Sequence, residues 1–175
     1  MQKLPRSLDA DSNSAALIRA ALKSDVRALW SSGTFLVPHF PAHASLLKAL
    51  SYARHCRKLC SGLENIEEML KREEQGFAAL KTKGAANPSQ RVSRILLMSS
   101  DGTERLYRAC ESLLKRHEER VLGMRLEMNS DEMGNMFFGK ERMVKVMMVE
   151  HKDFVTHVLK SLVAEPDLET EQRQF

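Results

Sequence analysis

From Val92 to Leu162 the chain alternates between two apolar patterns, and this alternation constrains the fold more than any other feature. "RILLMSS" (94–100), "VLGMRLE" (121–127) and "MVKVMMVE" (143–150) are short apolar runs, and each predicts a strand. Between the first two, Leu106, Ala109, Cys110, Leu113 and Leu114 recur at helical spacing, with Glu104–Arg108 and Glu111–Lys115 as i,i+4 ion pairs. After the second strand, "NSDEMGNMFFGK" reads as a cap and a short helix stopped by Gly139. After the third, Phe154, Val155, Val158, Leu159 and Leu162 stripe a final helix. Strands alternating with helices predict α/β layers with helices on both faces of a sheet.

Upstream, the pattern is helical. A helix is expected from about Ala44 to Leu59, with Lys48, His55 and Lys58 on its wet side, and another from Gly62 to about Glu74. Residues 1–42 read as a helical extension: "DADSNS" offers N-caps, Ile18, Ala21, Leu22, Val26 and Leu29 mark one amphipathic helix, and Gly33, Pro38 and Pro41 end it. The domain proper is expected at 43–163, with a tail at 164–175. Residues 75–91 read as a loop-like basic insertion: no acidic residue occurs between Gln75 and Ser100, while Lys81, Lys83, Arg91 and Arg94 do. Such a stretch is either a solvated loop or a cationic finger for a phosphate backbone.

The formal net charge of +4 tolerates nucleic acid without requiring it. Aromatic residues make up only 6%, so aliphatic side chains and ten methionines must fill the core. Three cysteines, an odd number with no secretory signal ahead of them, suggest a reducing compartment. Cys56 and Cys60 lie one helical turn apart on the apolar face of Leu46, Leu50 and Ala53, which predicts packing. A structural zinc site takes four ligands, usually as two such pairs, and beyond Cys56 and Cys60, beside His55, only Cys110 remains to face them. Cys56 and Cys110 are therefore expected to be buried and metal-free. No apolar run approaches the ~20 residues of a membrane span. Acidic residues at 9, 11 and 25 do not suit a transit peptide, although the choice between mitochondrial and cytoplasmic placement stays open.

No nucleotide-binding glycine loop, H-E-x-x-H or G-x-S-x-G is present, so no enzyme and no cofactor is expected. "SSDGTER" sits where a strand meets a helix, but Ser100 or Asp101 as an N-cap explains it.

The order of these segments is similar to a known family. "RHCRKLCSGLENIEEMLKR" resembles the helix, short strand and glycine-initiated second helix of the ribosomal L-seven-Ae/L-thirty-e superfamily of RNA-binding domains. "RILLMSSDG…YRACESLLKRH" resembles its hydrophobic strand, polar turn and following helix. "NSDEMGNMFFGKERMVKVMMVEHKDF" resembles its Ser cap, hydrophobic-Gly pair, second Gly and Arg-x-Val entry into the last strand. Together these cover roughly 120 residues. The resemblance implies a three-layer α/β/α sandwich with a mixed four-stranded sheet, its fourth strand at "KLCSG". It also implies kink-turn RNA as ligand, within a ribosomal or other ribonucleoprotein particle and among neighbouring proteins of that particle. Ribonuclease P and small nucleolar particles are the alternatives to a ribosome.

The implied contacts are Gly62, Glu64 and Asn65 at the helix start, with Arg54, Arg57, Lys58 and Lys71 on the backbone. Gly139, Lys140, Arg142 and Met143 form a second loop, and Lys81, Lys83 and Arg91 of the insertion extend the surface. Here the family's Gly-x-Asn-Glu reads Gly62-Leu63-Glu64-Asn65, reversed in its last pair, and Glu68 stands at a usual basic site. With Glu67, these acids motivate the competing expectation of a protein-interaction module on the same fold.

Overall fold

The computed structural model describes residues 2–84, 90–139 and 141–164. The helices are α1 (Arg6–Asp9), α2 (Ser12–Ser24), α3 (Ala44–His55), α4 (Leu63–Thr82), α5 (Glu104–Arg116), α6 (Ser130–Phe137) and α7 (Lys152–Ser161). The strands are β1 (Val26–Ala28), β2 (Leu36–Pro41), β3 (Leu59–Ser61), β4 (Arg94–Met98), β5 (Val121–Glu127) and β6 (Val146–Val149). They form one mixed sheet in the order β1-β2-β5-β4-β6-β3. The β2–β5 and β5–β4 pairs are parallel, and the other three are antiparallel.

The sheet is covered on both faces. Along β4, Ile95 and Leu97 enter one core with Leu8, Ile18, Leu46, Met133, Phe137 and Val158, from α1, α2, α3, α6 and α7. Leu96 and Met98 enter the other, with Ile66, Leu70, Cys110 and Leu113 from α4 and α5. Successive strand side chains point to opposite faces, so burial on both sides demands the uninterrupted apolar runs seen in β4 and β6. The α/β class and the short strand at "KLCSG" agree with expectation, and so do the Glu104–Arg108 and Glu111–Lys115 pairs, each at 2.6 Å.

Four expectations need correction. Among the described residues the sheet has six strands, not four. The two additional ones come from residues 1–42, which are not a purely helical extension: Asp25 is extended (φ −141°), so α2 stops at Ser24 and Val26 enters β1 instead of continuing the helix. Pro38, expected to break structure, stands where β2 changes partner from β1 (36–38) to β5 (39–41), the place where a missing N–H costs the ladder least.

The insertion is not loop-like at its start. Helix α4 continues through Gly76 to Thr82, with the Arg120 guanidinium 4.4 Å from the Phe77 ring centroid, and within the insertion only residues 85–89 lie outside the described chain. The third correction is the cap of α5, which is Thr103, accepting from the Leu106 N–H. Asp101 instead reaches across to α6, accepting from the Ser130 N–H (2.9 Å) and hydroxyl (2.7 Å). Burial works to raise the Asp101 pKa, but its hydrogen bonds, those from Ser130 foremost, together outweigh it and hold the carboxyl below its ordinary range. Finally, Cys110 is buried but Cys56 is only half-buried, because α3 ends at His55 and Cys56 caps it.

Candidate nucleic-acid interface

Helix α3 ends in a Schellman turn: the Lys58 N–H donates to the Ala53 carbonyl and the Arg57 N–H to that of Arg54. Arg57 holds the left-handed position (φ 58°) that glycine usually takes. The three residues of β3 follow, and then Gly62 (φ 92°) turns the chain into α4. Its N–H donates to the Val146 carbonyl at 3.0 Å, fixing the turn against the start of β6.

Among the described residues, no side chain caps α4. The first-turn N–H groups of Leu63, Glu64 and Asn65 therefore have no intrahelical partner and face outward with the positive end of the helix dipole. A capping Ser or Asp in place of Gly62 would occupy at least one of them. The Asn65 amide donates to the Ser61 carbonyl at 3.1 Å, which orients the side chain and leaves its oxygen as an acceptor.

The loop after α6 is built against this turn. A Cβ on Gly134 would lie 1.3 Å from the Arg142 carbonyl oxygen, so only glycine lets α6 approach the 142–143 backbone this closely. The Val144 N–H donates to the Ser130 carbonyl at 3.0 Å, and the Glu141 N–H to the Asn135 side chain at 3.2 Å. Arg142 then reaches back to donate to the Ser61 hydroxyl at 3.2 Å. Its guanidinium also lies 5.4 Å from the Phe138 ring centroid, while that of Arg54 lies 4.9 Å from the same ring and donates to the Phe137 carbonyl at 2.7 Å. Phe138 thus holds two arginines at one edge of the surface. Met143, beside Arg142, is 60% exposed.

Of the residues expected at the interface, the structure brings together Arg54, Gly62, Asn65 and Arg142, with Glu64 on the first turn of α4 and Gly139 and Met143 on the second loop. Lys140 lies outside the described residues. Arg57 and Lys58 sit at the far end of β3, where the Lys58 carbonyl accepts from Glu150. Lys71 is nine residues beyond Gly62, about 13 Å along α4, and Lys81 is about 28 Å along it, with Lys83 just beyond. Arg91 is at the opposite end of the sheet, bonded to the Leu4 carbonyl and to Asp9. Phe138 and Ser61 were not anticipated; the aromatic pair in "MFFGK" was the available signal for the first.

The acids of α4 are mostly engaged. Glu67 pairs with Arg116 (3.3 Å), Glu68 with Arg72, Glu73 with both Arg94 and Arg120, and Glu74 lies 3.3 Å from His117. The acid-rich run is therefore largely the partner set of β4, α5 and the segment after it. Among the described residues no group of three or more His, Cys, Asp or Glu could hold a metal ion, and no helix is long and apolar enough to cross a membrane.

No protein-family model matches the chain, and neither does any curated protein sequence. Among solved structures it is similar to a protein of unknown function from Bacillus halodurans, at 18% identity over 69% of this chain and 98% of that one, with a TM-score of 0.44. It is also similar to the 15.5-kD RNA-binding protein of Giardia lamblia, at 12% identity over 67% and 82% of the two chains, again with a TM-score of 0.44. Likenesses this distant assign neither family nor activity to the chain.

Proposed function

We propose that this chain is a non-catalytic RNA-binding subunit of a ribonucleoprotein, using the Gly62 turn and the 139–143 loop as one surface. The observation that carries the reading is the 3.2 Å bond from Arg142 to Ser61, which joins segments 81 residues apart into a single face. On that face, unsatisfied N–H groups and the Arg54–Phe138–Arg142 cluster suit phosphate, the Asn65 oxygen suits a base amino group, and exposed Met143 suits an unstacked base. The order of motifs in the sequence makes a kink-turn the first RNA to test and a ribosomal particle the first context.

A second reading, a protein-docking module on the same fold, rests on the exposed Met136 and Met143 side chains and on Glu64, likewise exposed. Filter binding with a kink-turn stem-loop separates the two. Asn65→Ala is expected to weaken binding by about 1–3 kcal/mol and to relax sequence preference, while Arg142→Ala lowers affinity and the salt slope together. Tight RNA binding that is insensitive to both substitutions sinks the assignment of this surface. Copurification of proteins without RNA from the native source favours the docking module.

A further inference from the structure

At the opposite end of the sheet, five residues along β4 and about 16 Å from the Gly62 end, lies a groove of about 630 Å³ that the reading above does not use. Pro5 and Val92 form its buried floor, Phe77 one side, and Arg6, Arg91, Arg120 and Lys152 bring cations to it. Among the described residues that line it, Asp153 is the only carboxylate.

Two carboxylates behind the groove each serve two arginines. Asp9 accepts from Arg19 and Arg91, and Glu73 from Arg94 and Arg120. Each node is left with one positive charge in excess, and each holds its groove arginine in a fixed position. Arg6 and Lys152 are exposed and make no ion pair among the described residues. The region thus sets six cations against three carboxylates, beside an aromatic ring and the Ser7, Ser93 and Thr156 hydroxyls.

We infer that this groove is a second RNA contact, taking the phosphates of a single-stranded segment while the Gly62 face takes folded RNA, so that the protein bridges two parts of one RNA. Charge complementarity selects the ligand: a groove tracking a phosphate backbone beside an aromatic side chain is the usual arrangement for single strands. Its size, within the ~300–1,000 Å³ that holds small ligands, admits a nucleotide or two and not a duplex. The inference rests on the RNA-binding reading but concerns a separate surface.

The test uses the full chain, a kink-turn stem-loop with and without a 12-nucleotide single-stranded tail, and free 12-mer oligouridylate, in anisotropy titrations over a salt series. The paired substitution Arg6→Ser with Lys152→Ser removes only exposed, unpaired cations. It should cut oligouridylate affinity about tenfold or more, reduce the salt slope on the tailed RNA by about 1.4 units, and leave the tailless stem-loop unaffected. Asn65→Ala with Arg142→Ala should show the converse. An unchanged slope and oligouridylate affinity in the Arg6/Lys152 variant overturns the groove whatever happens at Gly62. Loss there, with no response at Asn65 and Arg142, upholds the groove and overturns the Gly62 surface. Failure of the wild-type chain to bind any of the three RNAs overturns both.

Discussion

Gly134→Ala gives the sharpest test of how the candidate surface is built, because local and tertiary effects predict opposite signs. In an ordinary helix interior this change stabilises by roughly 0.5–1 kcal/mol. Here the added Cβ would sit 1.3 Å from the Arg142 carbonyl oxygen, in the core of a van der Waals contact. The loop must retreat by about 2 Å to reach a normal carbon–oxygen separation, near the ~3.3 Å at which weak C–H···O contacts begin. Three hydrogen bonds span the gap or depend on the loop's place: Val144 to Ser130, Glu141 to Asn135, and Arg142 to Ser61. Losing two of them costs about 1–3 kcal/mol, and overpacking adds about 1–3. After subtracting the helix gain, the variant should be destabilised by about 1–5 kcal/mol. For a chain of this length that lowers the melting temperature by roughly 2–20 °C. Urea denaturation and thermal melts read the stability, and binding of the stem-loop RNA at a temperature where the variant is folded reads the surface. RNA affinity should fall because Arg142 is displaced. A variant as stable as wild type, or more so, would show that α6 and the loop are not pressed together as described.

Arg57→Gly should stabilise by about 1 kcal/mol in urea melts, since Arg57 occupies a left-handed turn that favours glycine; destabilisation would mean its side chain contributes more than the turn costs. Burial pushes the Cys110 thiol up to about 12, so at pH 8 it should stay unlabelled by iodoacetamide until the protein unfolds, and prompt native-state labelling contradicts the packing of α5. Burial also works to raise the Asp9 pKa, but hydrogen bonds from Arg91 and Arg19 outweigh it and the net shift is downward. A depressed folded-state pKa contributes stability above the ordinary carboxylate value of about 3.9, and that stability is lost as pH falls through the folded value. Asp9→Asn should therefore lower the urea midpoint at pH 7 and converge with wild type toward about pH 2, and a constant gap across that range refutes the linkage.

The sequence by itself determined the elements whose pattern is local and whose environment is uniform. "RILLMSS" read as a short buried strand from its unbroken apolar run, and the α5 stripe with its two ion pairs needed no partner to be read, because the 3.6-residue period and the i,i+4 spacing belong to the helix itself. The Gly62 turn was legible for the same reason: a glycine between a short strand and a polar helix start marks a backbone that bends there. Tertiary structure decided what depends on pairing across the chain. Val26 continues a helical stripe in sequence but becomes a strand because β2 lies beside it, and β2 could be accepted as a strand only once β5 was there to take over its pairing past Pro38. Arg91 and Arg94 looked like free cations in a loop and proved to be partners of Asp9 and Glu73, 82 and 21 residues away. Glu67 and Glu68 looked like part of an acidic binding face and proved to pair with Arg116 and Arg72. A charge in sequence carries no record of what neutralises it, since Coulomb attraction acts through space. Whether a residue is available to a ligand, at Arg142 as at Arg6, is therefore settled only when the chain has brought its distant partners together.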